Sequence, residues 1–150
     1  MAKTININYE HCSFDELATA DRELTQAAFE ATTRSYSPYS GFKVGAAARL
    51  RGGEIITAAN CESEVFPSGL CAERSLLYHY ASNYADKPIE ALAIASDPSE
   101  RECYPCGACR QVILDAENRQ QSPIRIIMAG GGTATIVESA KDLLPFTFRL

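Results

Sequence analysis

What this chain lacks narrows its roles before any motif is read. No run of Lys or Arg is long enough to form a basic arm, and the formal net charge is −5. A polyanion such as duplex DNA is therefore a poor candidate for main partner, since nucleic acids are held by clustered positive charge. No apolar run approaches the ~18 residues that mark a membrane-spanning helix. The opening MAKTININYEH lacks the basic-then-apolar pattern of a secretory leader, so the expected location is cytoplasmic. Internal repeats, linkers and low-complexity stretches are absent too, and a chain of 150 residues has the size of one domain, residues 1–150. Histidine occurs only at His11 and His79.

What is present is ordinary in bulk and unusual in detail. Hydrophobic residues make up 46% and charged residues 22%, as in a soluble globular protein with a sizeable core. A small or weakly charged ligand suits such a chain better than a polyelectrolyte. Six cysteines stand at positions 12, 61, 71, 103, 106 and 109. In a reducing compartment such a set points to metal binding or catalysis rather than to disulfides.

Periodicity and turn chemistry order the chain. Ser13-Phe14-Asp15-Glu16 has the form of a capping box, and apolar residues from Leu17 to Ala31 recur at helical spacing, predicting a helix from Ser13 to about Ser35. FKVGAAARL (42–50) and EIITAA (54–59) flank Arg51-Gly52-Gly53 and read as a hairpin. A second helix (71–83) opens at Cys71, and IEALAIAS (89–96) reads as a buried central strand. A third helix (107–118) follows the loop 97–105. Strands at 122–130 and 133–139 and a short helix at 140–144 complete the chain. Strands interleaved with helices predict an α/β fold with a mixed sheet and helices on its faces.

The chemistry concentrates in two segments. Cys106 and Cys109 form a C-x-x-C, and Cys71 stands alone upstream. Both segments fall where a helix is predicted to begin, and free N–H groups at such an end favour thiolate, the form that binds zinc. Three protein ligands would leave a coordination position open, as in a catalytic zinc site. Glu73, in the first turn after Cys71, could take a proton from metal-bound water and pass it on. Two other readings stay open on spacing alone. One is a structural zinc with a fourth ligand from Cys103, Cys61, Cys12 or His79; the other is a redox dithiol at Cys106/Cys109.

Cys71-Ala72-Glu73 followed by Pro105-Cys106-Gly107-Ala108-Cys109-Arg110-Gln111 resembles the zinc-dependent cytidine deaminases. SPYSGFKVGAA (37–47), Asn60-x-Glu62, PSGLCAER (67–74) and LLPFTF (143–148) extend the likeness over more than two-thirds of the chain. The branch it is similar to acts on free nucleosides, uses three Cys ligands and forms homotetramers. The resemblance implies a three-layer α/β/α fold with a five-stranded mixed sheet, and one Zn²⁺ per chain on Cys71, Cys106 and Cys109. Glu73 would shuttle protons while water attacks C4 of the pyrimidine, and Arg74 would hydrogen-bond the ligand thiolates. By the same likeness, the backbone of Ala72 would contact the pyrimidine, and Asn60 and Glu62 would hold the ribose 3′-hydroxyl. Phe42 and Phe148 would line the base pocket, with Tyr39 nearby. For the two Phe residues, ordinary core packing is the alternative. His11 and His79 have no ligand role in this pattern.

One stretch departs from the family. The usual Asn-x-Glu-Asn-Ala-x-Tyr reads here Asn60-Cys61-Glu62-Ser63-Glu64-Val65-Phe66. In family members the Ala and Tyr positions reach from a neighbouring subunit toward the sugar. Glu64 would then set a carboxylate beside the ribose 5′ side and repel 5′-phosphates, and Phe66 lacks a hydroxyl. Three functions follow as expectations. The first is hydrolytic deamination of cytidine and deoxycytidine. The second is the same chemistry on a modified cytidine or a blasticidin-like nucleoside. The third is a non-catalytic zinc module, against which the intact Glu73 counts.

Overall fold

The computed structural model describes residues 1–150. The strands are β1 (Glu10–Ser13), β2 (Lys43–Leu50), β3 (Ile55–Ala59), β4 (Ile89–Asp97), β5 (Arg125–Gly130) and β6 (Thr133–Val137). The helices are α1 (Thr19–Ala31), α2 (Ala72–Asn83) and α3 (Gly107–Gln120). None is long and apolar enough to cross a membrane. The strands form one mixed sheet in the order β1-β6-β5-β4-β2-β3, in which β4 and β5 run parallel and every other neighbouring pair antiparallel.

The α/β class and the mixed sheet are as expected; the count of five strands is not. The sixth strand is β1, which pairs with β6 from Glu10↔Ile136 to Ser13↔Thr133. Its four residues, EHCS, are too polar and too few to register as a strand by alternation. The first helix also starts later than predicted. The Ser13–Glu16 capping box forms, but on a single 3-10 turn, Phe14–Glu16. Leu17 then adopts an extended conformation (φ −57°, ψ 139°), which ends that turn before α1 can begin.

Why the layers form is written in β4. Ala91, Ala93 and Ala95 point to one face and pack with Leu24 and Ala28 of α1. Leu92 and Ile94 point to the other and pack with Leu76, Leu77, Ile113 and Leu114 of α2 and α3. Side chains alternate across a strand, so one run of apolar residues serves two cores. The α1 face is built of small residues and the helix lies close. At Gly45 of β2 an added Cβ would collide with the Ala28 carbonyl oxygen. The α2/α3 face carries large residues, and those two helices present their N-terminal ends together.

Candidate active site

Two helix starts supply the metal-binding groups. Cys71 is the N-cap of α2 (φ −66°, ψ 157°) and Cys106 the N-cap of α3 (φ −67°, ψ 166°). Cys109, buried, lies in the first turn of α3. The three sulfurs lie within 4.8 Å of one another, with Cys71 and Cys106 at 3.9 Å. A tetrahedral zinc with Zn–S bonds of ~2.3 Å sets its sulfurs about 3.8 Å apart. The cluster therefore fits one zinc ion per chain. Cys12, Cys61, Cys103 and His79 lie outside it, so the four-ligand structural site considered above does not assemble. His79 instead packs edge-on against Tyr84 at 5.5 Å and meets Asn83 at 3.2 Å.

Electrostatics at this end are unbalanced without further charge. The Cys71 thiol is pushed down in pKa by the hydrogen bond from Cys109, helped by Arg74; Cys109, as the donor and buried, is pushed up. Arg74 donates from Nη2 to Cys71 Sγ at 3.5 Å, while its Nε is buried with no partner. A buried unpaired donor costs about 1–3 kcal/mol, an expense that nearby thiolate charge offsets. Glu73 is 3% exposed, and burial raises its carboxyl to about pKa 7, with the negative charge of Cys71 adding to the effect. A carboxyl balanced near neutrality can both accept and return a proton.

These groups floor a cleft of about 650 Å³. Phe42, Val44 and Leu70 give it apolar walls, and Cys71, Glu73, Arg74 and Cys106 face it at the base. At the opposite end Tyr39 and Phe66 meet edge-on with ring centroids 5.8 Å apart. Asn60 and Glu62 also line the cleft, but not from the end of a regular strand. The chain has left β3 there, and Cys61 makes only isolated bridges to Tyr36 and Leu70. Asn60 is engaged within the chain: Oδ1 accepts from the Val44 N–H (2.8 Å) and Ser35 Oγ (2.6 Å), and Nδ2 donates to the Phe42 carbonyl (2.9 Å). One amide hydrogen is left for a ligand. Glu62 Oε1 accepts from the Tyr39 and Ser40 N–H groups, both at 3.2 Å. Desolvation opposes its charge, but the hydrogen bonds from Ser40 and Tyr39 together outweigh it and hold its pKa below the ordinary value. Its Oε2 stays available as an acceptor.

Three of the expected substrate-binding residues do not line the cleft of the single chain. Phe148 sits with Gln111, Asp115 and Asn118 of α3 rather than in the cleft, because the tail after Leu144 forms no regular element to carry it there. Glu64 is exposed and does not line the cleft. Ala72 is fully buried in the first turn of α2, between Cys71 and Glu73. Eight lining residues were not assigned to the cleft from sequence, among them Cys103 and Tyr104. For these two, the position just before Pro105-Cys106 was the available clue.

Comparison with known proteins agrees with this geometry. The family model for the cytidine and deoxycytidylate deaminase zinc-binding region matches residues 18–122. The chain belongs to this family of zinc-binding deaminases. It is 38% identical to the cytidine deaminase of Mycobacterium tuberculosis over 126 residues, covering 82% of this chain and 85% of that protein. The crystal structure of cytidine deaminase from Burkholderia pseudomallei superposes with a TM-score of 0.73 at 33% identity, covering 84% of this chain and 97% of the other. The blasticidin-S deaminase of Bacillus cereus is 32% identical over 120 residues, 75% of this chain and 77% of that protein.

Proposed function

We propose that this protein deaminates cytidine and deoxycytidine hydrolytically, giving uridine and deoxyuridine, as in pyrimidine salvage. The observation that carries the reading is the convergence of Cys71, Cys106 and Cys109 beside the buried Glu73 at the base of a nucleoside-sized cleft. Cys71, Cys106 and Cys109 would hold the zinc ion, which when bound would supply the Lewis acidity for activating water. Glu73 accepts a proton and delivers it to N3 of the pyrimidine, then carries a second to the departing amine. Arg74 steadies the ligand thiolates. Phe42 flanks the base, and Ala72 offers its backbone to the pyrimidine. The free Oε2 of Glu62 and the spare N–H of Asn60 bind the ribose 3′-hydroxyl. All of these groups lie within one domain, residues 1–150.

The working unit in this reading is a homotetramer with shared sites. Phe148 is 66% exposed in the single chain and stands outside its own cleft, as suits a side chain that completes a neighbour's, and Phe66 at the cleft's rim is 76% exposed. Six free cysteines fit a reducing, cytoplasmic setting. A second reading, deamination of a blasticidin-like or otherwise modified cytidine, is favoured by Glu64 and by the likeness to the Bacillus cereus protein. A substrate panel decides between them. Loss of cytidine absorbance on incubation with the zinc-loaded protein is the expected result. Turnover of an N4-modified nucleoside alone would transfer the reading to the second substrate class. Sedimentation at the mass of one chain, with full activity, would overturn the shared-site tetramer.

A further inference from the structure

The cleft has a neighbour. A second cavity, of about 960 Å³, lies behind it, and Phe42, Cys103 and Tyr104 border both. Of the three, Tyr104 is the one held by a built latch. Its hydroxyl donates to Glu102 Oε2 at 2.8 Å, and Glu102 is buried. The other oxygen of Glu102 accepts from Thr133 Oγ1 at 2.6 Å and lies 3.3 Å from His11 Nδ1. Thr133 belongs to β6 and His11 to β1, so a residue of the loop before α3 is tied to the sheet edge.

The loop itself is pinned by backbone. Cys103 N–H donates to the Ala129 carbonyl at 3.2 Å, and Gly131 N–H to the Ser99 carbonyl at 3.0 Å. At Gly130 a Cβ would collide with the Arg101 carbonyl, so the loop packs directly on the β5–β6 turn. Nothing in the zinc site requires this arrangement. What it fixes is the place of the Tyr104 ring, 56% exposed and two residues from Cys106.

We infer that Tyr104 is a specificity-determining wall and Glu102 the residue that positions it. The inference rests on the deaminase reading of the cleft. The reacting carbon, C4, must lie at the metal end, and of the three atoms bonded to it N3 is served by Glu73, which leaves the exocyclic nitrogen and C5 for the edge facing Tyr104. A rigid ring there excludes pyrimidines that carry bulk on that edge. Removing it joins the cleft to the cavity behind and admits them.

The test compares cytidine with 5-bromocytidine and N4-methylcytidine as substrates, and uridine with 5-bromouridine as ligands by calorimetry. Wild type, Tyr104→Ala, Tyr104→Phe and Glu102→Gln are used, each zinc-loaded and checked for fold by circular dichroism. Tyr104→Ala should raise the kcat/KM ratio of substituted to unsubstituted substrate about tenfold or more, the scale of a pocket that gains room for a small group. The binding ratio should move with it, mostly through KM. Tyr104→Phe keeps the ring and loses the latch, so its ratio should rise only about threefold by the same scale. Glu102→Gln should match Tyr104→Phe if positioning is its role. A ratio within about twofold of wild type in folded Tyr104→Ala would overturn the wall while leaving the deaminase reading intact. A wild type that holds zinc yet neither turns over cytidine nor binds uridine would overturn both.

Discussion

The two ends of the cleft are built on opposite plans. At the metal end the chain brings together groups that it satisfies only in part: three clustered thiols, a carboxyl whose charge burial opposes, and the orphan Nε of Arg74. At the sugar end the polar groups are nearly saturated, since Asn60 braces Ser35, Phe42 and Val44, and Glu62 closes the turn at Tyr39 and Ser40. The first plan stores reactivity and waits for a cation and a substrate. The second spends the same residue types on shape, and leaves only one donor and one acceptor for binding. The groups proposed for catalysis are under-committed, and those proposed for binding are doubly employed.

Four measurements would break or sharpen that contrast. The largest effect is expected from Glu73→Gln, which removes the proton carrier but keeps the volume. Turnover should fall by about 10³-fold or more while zinc stays near one per chain; substantial activity with zinc retained would refute the assignment of roles at the metal end. The second concerns pH and the metal-free protein. The folded Glu73 carboxyl titrates at about 7, above its ordinary 4.5. The protonated carboxyl therefore favours the fold fully below about pH 4.5, and this contribution is lost as pH rises to about 7. The loss is on the order of 3 kcal/mol. Urea unfolding of the metal-free proteins across that window should show this loss of stability in wild type and not in Glu73→Gln.

Third comes Glu62→Ala at the sugar end. Losing both the ribose acceptor and the turn closure should raise KM about 10- to 100-fold with a smaller change in kcat. A pure kcat effect would show that Glu62 serves the chemistry and that the two ends are less distinct than drawn. Smallest of all is Glu64→Ala. As an exposed carboxylate outside its own cleft it should alter cytidine kcat/KM by less than about twofold. A marked gain on 5′-phosphorylated substrates would instead place Glu64 in a neighbour's site.

How much of this was legible beforehand differs by element. The zinc ligands were readable because helix N-caps and C-x-x-C spacing are local facts, and Cys71 and Cys106 both proved to be caps. The β4 core run was readable for the same reason. β1 was not, since its four residues become a strand only by pairing with β6, more than a hundred positions away. The break at Leu17 was hidden by a periodicity that continues across it. Asn60 and Glu62 were found by pattern, but their work inside the chain was invisible, because it depends on groups 16 to 25 residues away. The latch from Tyr104 through Glu102 to Thr133 is the same case at longer range.

The alanine face of β4 has a consequence for how this protein can change. None of the α1 side chains borders the cleft, and α1 rests on residues too small to be trimmed. Apart from glycine, every substitution at Ala91, Ala93 or Ala95 adds bulk and pushes against α1. The opposite face can lose volume, but there the helices carry the zinc ligands at their tips. Variation on one side thus acts on a helix remote from the cleft, while variation on the other acts on the two helices that carry Cys71 and Cys106 at their N-caps.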